Sequence, residues 1–259
     1  MFYGLSFIFD GIASERYGLY IYSINGSGND SSPSGNKISL LTDKIANGYK
    51  HEILGISEDE PLEFKITFGS FNSLTRHEVR AIHNWLRKNE YKKLQIVQPD
   101  MSGLHYNCIM HDSVIKHIGN VPYAFEYTVT CDSQFAWEEE RTYKYPTIQD
   151  GMIRHYNDSD IPTYIRPLVK LKSSSSSNTV TIENMSNNGW VTRINNLGAN
   201  EIVTIDNEDE YIGTDRRPNI LQEFNHGWLE LVPGMNELRV TGNVVDFEIT
   251  YANARRIGA

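Results

Sequence analysis

One strongly marked helix lies in a chain that otherwise reads as alternating strands and turns. Thr75 is followed three residues later by Glu78, which is the spacing of a capping box, and Leu74 is positioned to pack on Val79 as a hydrophobic staple. These signals predict a helix from Thr75 to Glu90. A single helix among many short strands favours a mainly β fold.

The predicted helix has an apolar face and a basic face. Its apolar positions recur at helical spacing: Val79, Ile82 and Leu86. Its basic positions fall largely elsewhere and include Arg76, Arg80 and Arg87. A β-rich chain that uses its one strong helix for a basic surface bearing Trp85 is more easily understood as an assembling protein than as a catalyst. We therefore predict an oligomer interface formed by Trp85 and the three arginines, with a solvated helix surface as the alternative.

Length and periodicity predict two domains. A chain of 259 residues suits one large β domain or two of ordinary size, and two is favoured. Residues 141–167 are polar and show little periodicity, which is typical of a linker. The predicted organisation is a first domain at 1–140, a linker at 141–167 and a second domain at 168–259.

The first domain contains the longest alternating run of the chain, from Leu104 to Ile118. Its predicted dry face consists of Leu104, Tyr106, Cys108, Met110, Val114 and Ile118. Cys108 and Cys131 lie in apolar strands and are predicted to be small buried hydrophobic residues. The stretch Asn25–Asn36 is rich in Gly and Ser and predicts a mobile loop.

The second domain predicts a β-sandwich. Short apolar runs follow one another from Leu168 to Ile249 with no helical period. Turn residues separate them at Asn188-Gly189, Pro233-Gly234 and Thr241-Gly242-Asn243. Many short strands with close turns are typical of two packed sheets.

Charge and composition argue against several functional classes. Residues 1–140 carry 12 Lys and Arg against 18 Asp and Glu, and residues 141–259 carry 12 against 15, giving balances of −6 and −3. Binding of nucleic acid needs clustered cations, so an acidic balance in both halves disfavours it. No apolar run approaches the roughly 18 residues of a membrane span, and Met1–Phe9 lacks the features of a signal peptide. The chain is expected to be soluble and made in the cytosol.

Catalytic and metal motifs are missing from the sequence. His105, His111 and His117 share a strand face, but six residues along a strand span about 20 Å, which is too far for joint zinc coordination. No H-E-x-x-H, C-x-x-C, EF-hand loop or G-x-S-x-G elbow is present. We therefore expect no catalytic residues, no metal and no cofactor.

A sugar-binding site is a second possibility for the sandwich. The aromatic rings of Trp190 and Trp228 are of the kind that stack on pyranose rings, and His226 offers a polar group beside them. Tryptophan at strand spacing more often belongs to the core. Exposure of Trp228 would therefore decide between a carbohydrate-binding module and a packed sandwich.

Four segments, in this order and spacing, together resemble a known family. They are Phe7-Ile8-Phe9-Asp10-Gly11-Ile12 with Tyr17-Gly18-Leu19, the segment Arg80–Leu94, the strand pair closing at Cys131–Trp137, and Leu231-Val232-Pro233-Gly234-Met235-Asn236-Glu237-Leu238. The pattern is similar to the distal tail proteins of long-tailed bacteriophages with non-contractile tails. The resemblance spans nearly the whole chain.

This resemblance implies a structural role in the virion. The N-terminal ring, or belt, domain would join six copies around the tail channel, and the C-terminal domain would be a galectin-like sandwich. Implied partners are the tail tube protein, the tail-tip hub and receptor-binding proteins, while DNA would pass through the channel without specific binding. The implied location is the tail tip, after assembly in the host cytoplasm.

Sugar binding does not follow from a galectin-like shape. The nearest strings to the H-x-N-x-R motif of galectins are His155–Ser159 and His105–Ile109, and both lack the arginine.

Overall fold

The computed structural model describes residues 6–24, 39–44, 51–57 and 61–256. The predicted loop Asn25–Asn36 lies outside these residues. The chain divides into two compact units, the first ending at Glu138 and also containing Arg255 and Arg256, and the second comprising Glu139–Ala254. Strands dominate both units, which confirms the mainly β fold.

Among the described residues, the first unit contains one α-helix, α1 (Arg76–Leu86), together with a curled antiparallel sheet and a separate two-stranded ribbon. Its strands are β1 (Ser6–Phe9), β2 (Ile12–Ala13), β3 (Leu19–Ile24), β4 (Ser39–Lys44), β5 (His51–Ser57), β6 (Glu63–Ser70), β7 (Lys92–Val97), β8 (Leu104–Ile118), β9 (Val121–Cys131) and β10 (Ala136–Glu138). The sheet order is β2-β1-β7-β8-β9-β6-β3, with β10 beside β8, while β4 and β5 form a separate ribbon. One 3-10 turn, Ser14–Tyr17, joins β2 to β3, so the two ends of this order lie close in sequence.

Helix α1 begins as the sequence predicts and ends earlier. The Thr75 hydroxyl accepts a hydrogen bond from the Glu78 N–H at 3.3 Å, and the Glu78 carboxylate accepts one from the Thr75 N–H at 2.7 Å. This reciprocal pair confirms the capping box. The helix stops at Leu86 rather than at Glu90, because Arg87 is already extended and leads into β7.

Strand β8 departs from its predicted dry face in its second half. Leu104 is half-buried and Tyr106, Cys108 and Met110 are buried, but Val114 and Ile118 are 52% and 71% exposed. The register against β9 shifts between His111 and Val114, beside Asp112 with φ of 48°. Because this shift breaks the alternation, the β8–β9 hairpin continues with apolar side chains in solvent.

The two cysteines are buried, as the sequence predicts. Cys108 lies opposite Cys131 in the β8–β9 register, and both are free thiols with no exposed surface. Burial raises the pKa of each thiol, so both remain protonated at neutral pH.

The second unit is an antiparallel β-sandwich. Its strands are β11 (Arg141–Asn157), β12 (Leu168–Ser173), β13 (Asn178–Asn184), β14 (Trp190–Leu197), β15 (Ile202–Asp206), β16 (Tyr211–Thr214) and β17 (Gly234–Tyr251). The last strand among the described residues is the short β18 (Ala254–Arg255). β17 pairs with β13 through Leu238–Thr241 and with β12 through Val244–Thr250. Gly242 lies between these halves with φ of 96°, where a Cβ would come within 2.4 Å of the Thr179 carbonyl oxygen. The backbone of β17 at this position therefore has a conformation and a close neighbour that only glycine can accommodate.

The linker predicted at 141–167 is wrong for its first part. Residues 141–157 form β11, which pairs with β17 from Arg141–Tyr251 to Asn157–Gly234. Two features hide this strand in the sequence. The register shifts between Gln149 and Gly151, and the inward side chains near its end are the polar His155 and Asn157, each 2% exposed.

Candidate assembly interface

A row of exposed arginines lies on the outer face of α1 and just past its end. Arg76 and Arg80 are one turn apart on the helix, and Arg87 follows directly after Leu86. None of them forms an ion pair with any residue that the structure describes. Lys88 differs, because its ammonium lies 2.6 Å from the Asp10 carboxylate and lowers the pKa of that carboxyl group. In a chain of net charge −9, this row is suited to an acidic surface outside the subunit.

Trp85 does not belong to that surface, which corrects the predicted interface. Its side chain is 5% exposed and stacks on the ring of Phe7 at 5.7 Å and on Tyr17 at 4.9 Å. The indole Nε1 donates a hydrogen bond to the Phe9 carbonyl oxygen at 3.0 Å. Trp85 therefore anchors α1 to β1 inside the subunit, and the predicted surface is reduced to the arginines.

A neutral pair lies beneath the arginine row. The imidazole of His83 packs edge-on against Phe125 at 5.3 Å, and its Nδ1 is hydrogen-bonded to the Tyr127 hydroxyl. Burial lowers the pKa of His83 and raises the pKa of Tyr127 to about 12. The tyrosine therefore donates and the imidazole accepts at neutral pH, which leaves the positive charge of this face to the arginines.

The candidate sugar site in the second unit is not assembled. Trp228 is 9% exposed and packs on Phe224 at 4.7 Å, so its face is not open to a ring. Trp190 is 46% exposed, but its Nε1 donates to the Trp228 main-chain oxygen at 2.7 Å. His226 is exposed and packs beside Phe224 at 5.6 Å. By the criterion set from the sequence, the burial of Trp228 goes against the carbohydrate-binding site.

Buried asparagine side chains form hydrogen bonds with the backbone of the segment Leu231–Leu238. Asn236 is fully buried, and its carbonyl oxygen accepts from the Val232 N–H at 2.9 Å while its amide donates to the Val232 and Gly234 carbonyl oxygens. The amide of Asn184 donates to the Asn236 side chain at 2.9 Å. These bonds satisfy the N–H and C=O of Val232, which lies outside the regular strands. The sequence signal for this cluster was the asparagine two residues after Pro233-Gly234, and its role was not predicted.

Two further kinds of site are absent from the described ranges. Within residues 6–24, 39–44, 51–57 and 61–256, no three His, Cys, Asp or Glu side chains come together as metal ligands. In the same ranges, no helix has the length and apolar character needed to cross a lipid bilayer.

Family models match both units. Residues 2–133 match the model described as the phage tail protein N-terminal domain, and residues 135–251 match the phage tail C-terminal domain. The chain belongs to this family of phage tail proteins. The change of model at 133–135 lies close to the division of the tail protein at Glu138. No curated protein matches the sequence.

Solved structures share the fold of the tail protein. The Dit protein of phage SPP1, described as a paradigm of the hub adsorption apparatus in phages infecting Gram-positive bacteria, matches with a TM-score of 0.73 and 14% identity. That match covers 97% of this chain and 99% of the SPP1 protein. A chain of the phage p2 baseplate matches with a TM-score of 0.50 and 10% identity, covering 95% and 97%. The resemblance to distal tail proteins is thus confirmed at the level of the fold.

Proposed function

We propose that this tail protein forms a hexameric ring at the tail tip, where it joins the tail tube to the tail-tip hub and supports the components that adhere to the host. The observation that carries this proposal is the shared fold with the SPP1 Dit protein, which extends over 97% of this chain and 99% of that one. A match of both units in one chain supports a common architecture more strongly than a match of either unit alone. The SPP1 protein is described as part of a hub adsorption apparatus, and we propose a corresponding role for this chain.

The arginine row supports a contact with another acidic chain. Arg76, Arg80 and Arg87 have no counter-ions among the described residues, and the first 140 residues carry a balance of −6. A second copy therefore offers the opposite charge that the row lacks. Contacts between two different patches on identical subunits form a closed ring when the rotation between copies closes. In the ring that we propose, this row lies at such a contact.

The same charge balance fits a channel for DNA. An acidic ring repels the phosphate backbone, so DNA passes through it without being held. We propose a structural role without catalysis. The fold supports this reading, because the side chains with large pKa shifts are buried in the two cores or paired with each other rather than gathered in an open cleft.

Native mass spectrometry of the full-length protein tests the ring. We expect hexamers whose fraction rises with protein concentration. Cryo-electron microscopy of purified particles then tests the location, since the ring must appear between the tail tube and the hub. A protein that stays monomeric at all concentrations, and whose density in the particle lies elsewhere, would refute the proposal.

A further inference from the structure

Two buried thiols face each other in the middle of the sheet of the first unit. Cys108 on β8 lies directly opposite Cys131 on β9, and both side chains are fully buried in the same core. They are the two cysteines of the chain, and the assembly role proposed above uses neither of them. Such a pair differs chemically from a single buried thiol, because the two sulfurs can be joined to each other.

The hydrogen bonds beside the pair show which kind of cross-strand position it occupies. One residue further along each strand lie Asn107 and Asp132, and the Asp132 N–H donates to the Asn107 carbonyl oxygen at 2.9 Å. Hydrogen-bonded and non-hydrogen-bonded pairs alternate along an antiparallel ladder, so Cys108 and Cys131 form a non-hydrogen-bonded pair. The Cα atoms of such pairs are about 4.5 Å apart, and their side chains are closer than at hydrogen-bonded positions.

This spacing suits a disulfide bond. The Cα atoms of disulfide-bonded cysteines are usually about 4.4–6.8 Å apart, a range that includes the spacing of a non-hydrogen-bonded pair. Burial is the main cause of the raised pKa of Cys108, and the neighbouring Cys131 thiol is the next, as expected for two sulfurs in close proximity. The bond can therefore form without a change in the pairing of β8 with β9.

Neighbouring strands hold both cysteines from their outer sides. Cys108 lies opposite Lys92 on β7, and the Cys131 N–H donates to the Leu62 carbonyl oxygen at 2.9 Å. The backbone on each side is thus fixed before any bond forms. Two groups held in a reacting geometry have a high effective concentration, which favours reaction of the thiols with each other over separate reactions with small molecules.

We propose that Cys108 and Cys131 form a cross-strand disulfide, which links β8 to β9 covalently, when the folded protein meets a low-molecular-weight disulfide such as oxidised glutathione. The bond follows from the fold of the first unit and does not depend on the ring. Its timing rests on the proposed function. A tail protein made in the reducing cytoplasm of the host keeps both thiols, and the same protein in a released particle meets an oxidising medium.

The reaction consists of two thiol–disulfide exchanges. A transient opening exposes one cysteine, which gives its proton to water, and its thiolate attacks the small disulfide and releases one small thiol. The thiolate of the second cysteine then attacks the protein sulfur of this mixed disulfide, and the second small thiol leaves. One S–S bond replaces two protein S–H bonds, and the two electrons reduce the small disulfide to two thiols.

The opening step sets the rate of this reaction. Both thiols are fully buried, and burial raises the pKa of each of them, so the closed structure presents no thiolate to the oxidant. We therefore expect oxidation of the folded protein to take hours rather than seconds. Urea below the unfolding transition should accelerate it, because urea favours the open form.

Intact-mass spectrometry of the full-length protein tests the bond. Folded protein is incubated with mixtures of reduced and oxidised glutathione, and a second sample is unfolded in urea and refolded in the same mixtures. We expect both samples to lose the mass of two hydrogen atoms and to yield a peptide pair joined through Cys108 and Cys131. The first unit of the oxidised protein should unfold at a temperature higher by about 5–10 °C, because the bond restricts the unfolded chain. Dithiothreitol should reverse this shift.

Cys108→Ala is the matched control, because it keeps one buried thiol and cannot form the bond. Oxidised glutathione should leave its unfolding temperature unchanged and should add at most the mass of one glutathione. The effect of the oxidant is compared within each variant, so any cost of the substitution itself cancels. A rise of the same size in Cys108→Ala would refute the disulfide as the cause.

Three results would overturn the bond. Protein that stays reduced after refolding in the most oxidising mixture would show that the native sheet does not accept it. A disulfide form that unfolds at a lower temperature than the reduced form would show the same. A disulfide that forms during refolding but never in the folded sample would refute oxidation of the folded protein.

Alkylation by N-ethylmaleimide under denaturing conditions tests the timing. We expect two labels on the protein from freshly broken host cells and none on the protein from purified particles. Equal labelling of both samples would refute the change of state in the virion, while the bond observed in the purified protein would stand. Neither measurement counts subunits, so a protein that forms no hexamers would refute the ring and leave this inference unchanged.

Discussion

The guanidinium of Arg217 donates two hydrogen bonds to the carboxylate of Glu201, from Nε to Oε1 over 2.9 Å and from Nη2 to Oε2 over 3.0 Å. The carboxylate also accepts from the Gly198 N–H at 2.7 Å and from the Thr214 hydroxyl at 2.8 Å. Burial on its own raises the pKa of Glu201, but these hydrogen bonds outweigh burial and hold the pKa at about 2. The side chain is 2% exposed, so this buried charge is held by its ion pair with Arg217 and by the two further hydrogen bonds.

Removing that cation should destabilise the sandwich. We expect Arg217→Ala to lower the free energy of unfolding by about 3 kcal/mol, because it leaves the Glu201 carboxylate buried without its ion pair. Urea unfolding followed by circular dichroism measures this change. Arg193→Ala is the matched control, since Arg193 is an exposed arginine on β14. Equal effects of the two substitutions would show that the Glu201 pair contributes little.

A buried histidine should make the second unit sensitive to acid. His155 is 2% exposed, and its Nδ1 and Nε2 are each 2.9 Å from a tyrosine hydroxyl, of Tyr145 and Tyr251 respectively. Burial lowers the pKa of His155 from 6.5 to about 4. Between these values the unfolded chain binds a proton that the folded chain does not, so the free energy of unfolding falls as pH is lowered through this window. We expect a loss of about 3 kcal/mol between pH 7 and pH 4.

His155→Gln isolates this contribution. The variant is less stable at pH 7.5, but it should lose the part of the pH dependence that lies between 6.5 and 4. Urea unfolding at pH 7.5, 5.5 and 4.5 measures the slope. His226→Gln, at an exposed position, should retain the slope of the unsubstituted protein. A slope that persists unchanged in His155→Gln would assign the acid sensitivity to other groups.

Trp85 should matter for the stability of the first unit. Trp85→Ala removes an indole that is stacked on Phe7 and Tyr17, and we expect a loss of about 3–5 kcal/mol in urea unfolding. Trp85→Phe keeps the stacking but loses the hydrogen bond to the Phe9 carbonyl oxygen, so its cost should be smaller. A Trp85→Ala protein with unchanged stability would contradict the packing role and restore the indole as a candidate for the interface.

Asn236 should contribute as much to the stability of the second unit as an apolar core residue does. Asn236→Ala leaves the buried Val232 N–H without its acceptor and removes one of the two amide donors to the Val232 carbonyl oxygen, the other being Asn157, and we expect a loss of about 3 kcal/mol. Thermal unfolding monitored by circular dichroism provides the measurement. Asn195→Ala on β14, where the side chain is exposed, serves as the control and should change stability by less than about 0.5 kcal/mol.

Local signals in the sequence predicted the elements that depend on neighbouring residues. The capping box of Thr75 and Glu78 is complete within four residues, so the start of α1 was predicted correctly. The burial of Tyr106, Cys108 and Met110 followed from simple alternation. The two residues of the capping box lie within one short segment, and so does the alternating pattern of the strand.

Features that depend on distant partners were missed. The sequence predicts a linker where β11 lies, because the hydrogen-bond partners of this strand are on β17, far later in the chain. The type and spacing of Trp85 predict an interface position, yet its burial depends on Phe7, which no local pattern connects to it. Within the candidate interface, the sequence identified the three arginines but not which of the basic residues had an internal partner.

Charge reversal in the arginine row should separate assembly from folding. Arg80 is exposed and makes no ion pair with the described residues, so Arg80→Glu should change the free energy of unfolding by less than about 0.5 kcal/mol. A glutamate in the row would repel the acidic surface that we propose for the neighbouring copy, and the hexamer fraction in native mass spectrometry should fall.

Arg193→Glu makes the same change of charge at an exposed position on β14 and should leave the fraction unchanged. Because exposed charges are screened by salt, the difference between the two variants should shrink as ionic strength rises. Normal assembly of the Arg80→Glu protein at low salt would remove the arginine row from the ring contact.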